Sequence, residues 1–387
     1  MDNRLEDTFC PACKGKSNHC IDWEMSGLND SIFNYVAEFY ECEDCGLVYN
    51  TNMSDEKLAV FYAGECSYFE KPHFNIDSAE NIQKYACYKK IISDAGLSGS
   101  PIADIGCGRG GFLIWLKKNG WKSICSGVDI DRRSFADAMD REGLAFEEGR
   151  AVQIPFSDES CSLLTYFHVI EHIVTIEKVF QEANRVLRPG GHIMIEVPDA
   201  DRYREYPVGT AFWLSIREHV YHYSADSLKN ILSRNGFEVI GIHRNILPTP
   251  EFSYPSLIIL ARKNPLSVKP EKSGQGLIAP FVLQSKRDLE AQAKEVMDFC
   301  AKYKTAAFWG LSAELFSLLP LLKLETITLC DSSKDKQKAR YKGIPIHAPE
   351  NLKKDAALII APYLFSEVIK AEALKLGWQE KAIYCLR

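Results

Sequence analysis

Four cysteines form two pairs whose spacing suits a tetrahedral metal ion: Cys10 with Cys13, and Cys42 with Cys45. Two residues between thiolates let both sulfurs of a tight turn reach one ion, and Gly15 and Gly46 supply the backbone freedom that such a turn needs. The long interval between the pairs predicts an excursion of β-strands. Because four thiolates leave no open coordination position, we expect a structural zinc site. The alternatives are four unrelated buried cysteines, or ligands from His19 and Cys20.

A glycine-rich turn follows a short apolar run between residues 101 and 111. Gly106 and Gly108 let a ligand approach the backbone, and the helix that begins after Gly110 offers unpaired amide donors at its N-terminus. Because Gly110 and Gly111 are both present, the turn satisfies the GxGxG and the GxGxxG patterns. The glycines therefore predict a nucleoside-containing ligand but do not choose which one.

Two carboxylates bracket this turn: Asp104 in the strand before it, and Asp129 at the end of the next predicted strand. Asp104 would place an unfavourable negative field beside a pyrophosphate but would favour the ammonium and sulfonium of S-adenosylmethionine (SAM). Asp129 lies about 20 residues further on, where an acid accepts from both ribose hydroxyls. The pair predicts SAM binding. The runner-up is an oxidoreductase that uses a nicotinamide dinucleotide, and each acid taken singly is also an ordinary strand-end carboxylate.

Methyl transfer from a sulfonium needs an acceptor in line and, often, a base that removes its proton. Two clusters of titratable residues are candidates: Phe167, His168, Glu171 and His172 after the fourth predicted strand, and 217–223 before a predicted helix. A carboxylate can orient a neighbouring imidazole and raise its basicity. Our hypothesis is that His219 is the general base with Glu218 beside it. The alternative is an exposed polar loop with an ordinary histidine.

The elements that position these residues alternate between apolar strands and helical patterns from Pro101 to Lys263, which predicts a parallel α/β sheet covered on both faces. A helix over Ala225–Asn235 begins after Ser224 and ends at Gly236. Six strands of the expected seven-stranded Rossmann-like sheet are Ile102–Ile105, Ser123–Ile130, Cys161–Phe167, His192–Val197, Phe237–Ile242 and Leu257–Ala261.

The composition changes twice along the chain and predicts three domains. Residues 1–65 are rich in cysteine and aromatic residues and form a small zinc-binding domain; residues 66–265 form the cofactor domain. The stretch Lys263–Gly276 is typical of a linker. Residues 266–387 form a C-terminal Rossmann-like α/β domain, with a long helix over Leu283–Tyr303 followed by the strands Ala306–Trp309, Ile327–Cys330 and Leu358–Ala361.

The overall composition excludes several classes of protein. The chain has 387 residues, of which 46% are hydrophobic and 25% charged, and a net charge of −6. No apolar run approaches the roughly 20 residues that cross a bilayer, and the acidic balance lacks the clustered cations that bind nucleic acid. Thirteen scattered cysteines and no signal sequence predict a reducing cytoplasm. We expect a small-molecule enzyme, a monomer or homodimer; a non-enzymatic zinc and Rossmann scaffold is the third interpretation.

The segment from Gly96 to Arg262 resembles class I SAM-dependent methyltransferases. The matching motifs are ADIGCGRGGFL, GVDID, IPFSDES, FHVIEHI and RVLRPGGHIMIEVP. The resemblance implies that Asp129 holds the ribose and that Ile130 packs on adenine. Arg150 stands where the family usually has an aspartate, so backbone groups around Ala151 are expected to read adenine. The implied cofactor residues are Asp104, Gly106, Cys107, Gly108, Gly110, Asp129, Ile130, Ala151, Phe167 and His168.

The order of the three parts resembles a narrower family, the nucleotide-sugar C-methyltransferases with an N-terminal zinc domain and a C-terminal Rossmann-like domain. The C-terminal motif is CDSSKDKQKARYKGIPIHAPENL. The family's Tyr-x-Glu-His maps to 216–219, which keeps Glu218 and His219 but not the tyrosine. Its Asn-x-x-x-His maps to His168 and His172, so the asparagine is also replaced. The resemblance implies a nucleotide-linked (deoxy)sugar acceptor, with His219, Glu218 and His172 as catalytic residues. Transfer to oxygen or nitrogen stays an alternative.

Overall fold

The protein is described from a computed structural model, which covers residues 8–62, 75–139, 141, 143–205, 212–248, 253–264 and 278–386. Within these residues the strands form three sheets, of five, seven and six strands. The predicted boundary near residue 65 and the predicted linker from residue 265 onward lie outside the described residues. None of the helices in the described ranges is both long and apolar enough to span a membrane.

The five-stranded sheet carries the four cysteines. Strands β2 and β3 pair in antiparallel fashion between the two cysteine pairs, which confirms the predicted excursion. One side of β3 is buried through Ala37 and Phe39, so the sheet has its own apolar face. Ser54 caps α1 by accepting a hydrogen bond from the amide of Lys57. The elements of this segment are β1 (Thr8–Phe9), β2 (Lys16–Glu24), β3 (Val36–Cys42), β4 (Val48–Asn50) and α1 (Asp55–Val60).

The central segment alternates strands and helices as its sequence predicts. The bounds of the strand before the glycine turn and of the strand Cys161–Phe167 are confirmed, and the helix after Ser224 carries a capping box. Its elements are α2 (Ala79–Asp94), β5 (Ile102–Ile105), α3 (Gly111–Lys118), β6 (Cys125–Asp129), β7 (Leu144–Glu148), β8 (Cys161–Phe167), α4 (Ile176–Val186), β9 (Leu187–Pro198), α5 (Phe212–Ser215), β10 (Tyr221–His222), α6 (Ala225–Arg234), β11 (Phe237–Pro248) and β12 (Ser253–Lys263).

Seven of these strands form a mixed α/β sheet in the order β11-β12-β9-β8-β5-β6-β7. The pairs from β9 to β7 are parallel, whereas β12 is antiparallel to both β9 and β11. The strand order reverses between β5 and β8. Since ligands of open α/β sheets bind beyond the carboxyl ends of the strands at such a reversal, the fold places a site beside the glycine turn.

The C-terminal segment forms the six-stranded sheet, in the order β15-β16-β14-β13-β17-β18. The first two predicted strands are confirmed without change, while the long helix begins five residues before the predicted Leu283 and ends three before Tyr303. The elements are α7 (Ile278–Cys300), β13 (Ala306–Trp309), α8 (Ala313–Leu318), β14 (Ile327–Cys330), β15 (Arg340–Tyr341), β16 (Ile344–His347), β17 (Ala357–Ile360), α9 (Ser366–Lys375) and β18 (Ile383–Cys385).

Strand β10 joins the N-terminal sheet instead of the central one. Tyr221 pairs with Tyr49 and His222 with Val48, so two residues far along the chain complete the cysteine-bearing sheet. This segment lies within residues 66–265, which the sequence predicts to form the cofactor domain alone. A strand of two residues is too short to show any periodicity, which is why the pattern did not indicate it.

The three sheets meet around Arg217. Its guanidinium lies 4.6 Å from the ring of Phe33 and 5.2 Å from that of Phe316, and it donates a 3.0 Å hydrogen bond to the carbonyl oxygen of Ser26. Nearby, Trp23 donates through its indole nitrogen to Ser317. Residues from the N-terminal, central and C-terminal segments therefore pack against one side chain, two positions before His219.

Candidate active site

The four cysteine sulfurs converge as the sequence predicts. They all lie within 4.8 Å of one another, with 3.8 Å between the sulfurs of Cys10 and Cys45 and 3.3 Å between those of Cys13 and Cys42. Sulfurs that are each 2.3 Å from a tetrahedral zinc ion lie about 3.8 Å apart, so the cluster fits zinc. Hydrogen bonds among the sulfurs lower the pKa of the Cys13 and Cys42 thiols and raise that of the Cys10 and Cys45 thiols.

The glycine turn is closely packed at Gly106 but open at Gly108. A Cβ on Gly106, whose φ is +75°, would lie 2.4 Å from a methyl of Val169, so only glycine fits there. A Cβ on Gly108 would meet nothing within 4 Å. The amides of Gly106 and Cys107 donate to the carbonyl oxygen of Val128, and the buried side chain of Cys107 faces Gly127. Gly108 is thus the open position of the turn.

Asp104 and Asp129 lie on either side of this turn in different surroundings. Asp104 is buried, accepts a 2.7 Å hydrogen bond from the hydroxyl of Thr165, and has its pKa raised by burial to about 7. Asp129 accepts from the amides of Gly108 at 2.8 Å and Asp131 at 3.0 Å, and burial raises its pKa as well. Two buried acids for which no cation partner lies among the described residues favour a cationic ligand at this turn.

The residues expected at the adenine end surround the strand end that carries Asp129. Ile130 follows directly, and 39% of its surface is exposed. Its side chain is therefore an accessible apolar surface beside Asp129. The amide of Gly149 donates to the carbonyl oxygen of Asp129, which holds the next loop against it. Ala151 is buried in that loop, and the backbone amide of Gln153 donates to the carbonyl oxygen of Arg150.

Phe167 and His168 end β8 beside the glycine turn. The ring of Phe167 stacks on Tyr88 of α2, with centroids 4.0 Å apart and planes 7° from parallel. His168 has a φ of +56°, a left-handed conformation that is strained for a non-glycine residue and typical of functional sites. Its Nδ1 lies 3.0 Å from the carboxylate of Glu171, and its Nε2 is bonded to the hydroxyl of Tyr254.

A buried carboxylate, Glu196 on β9, organises the groups around His168. It accepts hydrogen bonds from Tyr88, from Tyr254 at 3.0 Å and from Ser256 at 2.6 Å. Burial alone would raise the pKa of Glu196, but His168 and the hydroxyl donors outweigh it and lower it to about 2. Burial alone would likewise lower the pKa of His168, yet Glu196 and Glu171 raise it to about 9. The two groups form an ion pair at neutral pH.

Glu171, His172 and His219 lie together; we call them the acceptor cluster. Their ligand atoms lie within 4.8 Å of one another, and the two imidazole rings are 4.8 Å apart at 73°. Burial, with His172 and His222 nearby, lowers the pKa of His219 well below its usual value, so the imidazole is neutral. The carboxylate of Glu218 makes no hydrogen bond to His219 within the described chain; its carbonyl oxygen instead lies 3.2 Å from Nδ1 of His172.

Backbone contacts hold the two halves of the acceptor cluster in register. The amide of Val220 donates to the carbonyl oxygen of Glu171 at 2.8 Å, and the hydroxyl of Tyr221 donates to that of Val174 at 2.5 Å. The N-terminal segment reinforces both halves. Asn50 donates to the carbonyl oxygen of His219 at 3.1 Å, and Asp55 accepts from the amide of Val174 at 2.8 Å.

Sequence reasoning missed Tyr88, Glu196 and Tyr254, which shape the site around His168. Glu196 is a single acid within the apolar strand GGHIMIEVP, and such an acid needs donors when the strand is buried. That pattern was a usable signal. Tyr88 and Tyr254 reach Glu196 from α2 and β12, and only the folded sheet brings those elements together.

Comparison with known families identifies the central segment. Residues 79–242 match the family model described as "Methyltransferase domain". These residues include α2, the glycine turn, both acids and the acceptor cluster. Over this segment the chain is therefore similar to a methyltransferase domain, in agreement with the α/β fold expected from its sequence.

Curated relatives that match the chain are named methyltransferases with differing substrates. A phthiotriol/phenolphthiotriol dimycocerosates methyltransferase 1 from Mycobacterium ulcerans is 28% identical over 110 residues, which cover 28% of this chain and 41% of that protein. An ajmaline N-methyltransferase from Rauvolfia serpentina is 26% identical over 167 residues, which cover 41% of this chain and 56% of that protein. The chain thus spans about half the length of these relatives or less.

Among solved structures, a SAM-dependent methyltransferase from Methanosarcina mazei is similar to part of this chain. It is 19% identical with a TM-score of 0.39, and the alignment covers 45% of this chain and 97% of that structure.

Proposed function

We propose that this chain is a SAM-dependent methyltransferase that transfers a methyl group to a small-molecule acceptor. The observation that carries the proposal is the methyltransferase match over residues 79–242 together with the turn at Gly108, which Asp129 holds open. Calorimetry tests it: zinc-replete protein should bind one SAM or its demethylated product per chain. Absence of heat with both compounds contradicts the proposal, and binding of a nicotinamide dinucleotide instead would favour the runner-up oxidoreductase.

The residues that would hold SAM follow from their positions. Asp129 has oxygens directed at the turn, where its remaining lone pairs can accept from ribose hydroxyls. Ile130 offers an apolar surface to adenine, with backbone groups around Ala151 at its edge. Asp104 is buried, and no cationic side chain pairs with it among the described residues. Its negative charge would favour the ammonium and sulfonium groups of SAM. Bound SAM supplies an electrophilic methyl group on sulfur.

The transfer itself needs few protein groups. The acceptor atom forms a bond to the methyl carbon, the carbon–sulfur bond breaks, and its electron pair stays on sulfur. An O–H, N–H or activated C–H acceptor also loses a proton. We assign that proton to His219, which is neutral and makes no ring hydrogen bond to another described residue. Glu171, instead of Glu218, is the carboxylate of this cluster.

A nucleotide-linked sugar is the acceptor class that we favour. Its support is the resemblance to three-domain sugar methyltransferases and the packing of the C-terminal segment against the other two around Arg217. A panel of nucleotide sugars, with the matching free sugars as controls, is the appropriate assay. Mass spectrometry and NMR of the product then identify the methylated atom. Turnover of free sugars at the same rate would contradict the nucleotide requirement.

The role of His219 is tested by His219→Ala. Loss of general base catalysis costs about 100-fold or more in turnover, while the affinity for SAM stays near that of wild type because His219 is absent from the glycine turn. Unchanged turnover with the full substrate pair excludes His219 as the base. Glu218→Gln, which keeps the carbonyl oxygen that faces His172, is the matched variant and should lose much less.

We also assign the cysteine cluster to structural zinc. Its four sulfurs have tetrahedral spacing, and closed thiolate sites are structural. The cluster lies in the sheet that β10 completes, so zinc stabilises the segment that leads into His219. Metal analysis of purified protein should give one zinc per chain that Cys42→Ser and Cys45→Ser remove.

A further inference from the structure

We propose that the acceptor cluster binds one divalent transition-metal ion, at a second metal site distinct from the four cysteines. The inference rests on the proposed methyltransferase function only for its role; the site itself stands on geometry. Glu171, His172 and His219 bring one carboxylate and two imidazoles within 4.8 Å of one another. Ligands that are each about 2.0–2.1 Å from a tetrahedral ion lie about 3.3 Å apart, so inward shifts of about 1 Å close the set.

The orientation of His172 is the one that a metal ligand needs. Its Nδ1 lies 3.2 Å from the carbonyl oxygen of Glu218, a pure acceptor, so Nδ1 carries the proton. Nε2 then keeps its lone pair, and it lies 3.9 Å from the carboxylate of Glu171. An outer hydrogen bond that fixes the tautomer of a ligating histidine is the usual second shell of a metal site. The same contact gives Glu218 a positioning role through its backbone.

Two atoms of the cluster are buried without a partner in the described chain. They are Oε2 of Glu171, whose side chain is fully buried, and Nδ1 of His219, whose residue is 7% exposed. Leaving a buried carboxylate oxygen and a buried ring nitrogen without partners is costly. A cation between them satisfies both atoms at once.

Neighbouring polar residues do not compete for this place. Both ring nitrogens of His168 are already engaged, one with Glu171 and the other with Tyr254. The Nδ1 of His222 is engaged as well, since it faces the hydroxyl of Tyr203 at 3.2 Å. The ligand set is therefore two histidines and one carboxylate, which leaves coordination positions open for an acceptor.

Such a donor set favours zinc, iron(II), cobalt(II) or nickel(II) over magnesium or calcium, which prefer oxygen ligands. With an ion bound, an acceptor oxygen on the open positions has a lowered pKa and gives its proton to solvent. In the ion-loaded protein His219 is then a metal ligand and no longer the group that accepts the proton. Either role makes His219 essential, so turnover of His219→Ala does not separate them.

Titration with Co²⁺ separates them, without SAM or acceptor present, on protein that has been dialysed until it keeps only the one zinc held by the four cysteines. The tight thiolate site keeps its zinc, so Co²⁺ reports on the second site through weak visible absorption, without the intense sulfur-to-metal bands of a thiolate site. We expect one Co²⁺ per chain. Since losing even an outer-shell partner costs about 10- to 100-fold in metal affinity, Glu171→Gln and His172→Ala should each weaken binding at least about 100-fold.

His347→Ala, which removes a histidine of β16 in the C-terminal segment, is the matched control and should bind Co²⁺ like wild type. Zinc content and SAM affinity are measured on every variant, so a misfolded protein is recognised by losing both. No Co²⁺ uptake by wild type at millimolar concentration overturns the site and leaves the base role of His219 standing. Equal uptake by wild type and by folded Glu171→Gln and His172→Ala overturns it as well. If the wild-type protein does not bind SAM, that result contradicts the proposed function and not the metal site.

Discussion

The side-chain amide of Asn50 donates a 3.1 Å hydrogen bond to the carbonyl oxygen of His219, across 169 residues of sequence. This contact joins the sheet that carries the four cysteines to the histidine at the centre of the acceptor cluster. Beside it, β4 and β10 pair through two residues each. The N-terminal sheet, which the sequence predicts to be a separate zinc-binding domain, is therefore part of the framework of the candidate active site.

Removal of zinc should impair turnover more than cofactor binding. Without the ion, the sheet that supports β10 loosens and His219 loses its fixed position, whereas the glycine turn lies on another sheet. We expect chelation to lower turnover at least about tenfold, since positioning errors of an ångström are costly in catalysis. Hydrogen exchange at Tyr221 and His222 should rise in parallel, with SAM affinity within about twofold of its starting value. Full turnover of zinc-free protein would contradict this coupling.

Replacement of Asp129 by alanine should weaken SAM binding at least about tenfold, because hydrogen bonds to charged groups contribute about 1.5–3 kcal/mol each. Calorimetry measures the effect. The control is Asp137→Ala, which removes an exposed acid from the 3₁₀ turn that follows and should leave the affinity unchanged. Asp129→Ala that binds SAM normally would remove this residue from the cofactor site and return the non-enzymatic scaffold to consideration.

The affinity for SAM should rise with pH through about 7. Burial raises the pKa of Asp104 to about 7, so its carboxylate is protonated below that pH and charged above it, and only the charged form attracts a cation. Binding below pH 7 should release up to one proton, which calorimetry in buffers of different ionisation enthalpy detects. Asp104→Asn should weaken binding above pH 7 and flatten the pH dependence; a profile identical to that of wild type would assign the titration elsewhere.

The ion pair of Glu196 and His168 should stabilise the fold over a defined pH window. The pKa of Glu196 is lowered to about 2, so its contribution is lost as pH falls from its unfolded value near 4.5 towards 2. The pKa of His168 is raised to about 9, so its contribution is complete below about 6.5 and is lost as pH rises towards 9. The pair therefore contributes most between about pH 4.5 and 6.5.

Glu196→Gln tests this window by thermal unfolding. Breaking a buried pair costs about 3–5 kcal/mol, and because 32% of the His168 side chain is exposed we expect the lower end of that range. The variant should lose most at pH 5–6 and less at pH 9. Glu205→Gln, an exposed acid paired with Arg202 on the surface, is the control and should change stability by less than about 1 kcal/mol. A uniform loss at every pH would mean that Glu196 acts through packing alone.

Arg217→Met should loosen the junction of the three sheets. The guanidinium contacts Phe33 and Phe316 and binds the carbonyl oxygen of Ser26, so methionine keeps the apolar stem but loses the cation–π contacts and the hydrogen bond. We expect a stability loss of about 1–3 kcal/mol and lower turnover at unchanged SAM affinity. Arg217→Lys should recover part of the loss. Wild-type turnover in Arg217→Met would show that the junction is dispensable for positioning His219.

Sequence patterns predicted an element well where the pattern depends on neighbouring residues. The apolar runs at β5, β8, β13 and β14 match the observed strands, and Ser224 begins α6 as its capping pattern indicates. The cysteine spacing predicted convergent sulfurs because a tetrahedral ion imposes that spacing. These features depend on residues that are close in sequence.

Features that depend on distant residues escaped prediction. The placement of β10 beside β4 depends on a two-residue pairing, and the ring of Tyr88 reaches Glu196 only because α2 packs against the sheet. The carboxylate assigned to His219 from adjacency was Glu218, but the fold brings in Glu171 through the bond from Val220 to its carbonyl oxygen. Glu218 lies in a turn that the amide of His219 closes by donating to the carbonyl oxygen of Ile216, so adjacency was a poor guide there.

The late arrival of β10 has a consequence during synthesis on the ribosome. N-terminal regions begin to fold while the chain is still growing. The cysteine sheet can begin to form early, but β4 keeps an open edge, with unpaired backbone groups, until Tyr221 and His222 emerge. The nascent protein thus has an unpaired strand edge, which can pair with other chains, for most of the time needed to translate its central segment. The pairing of β10 with this edge also positions His219.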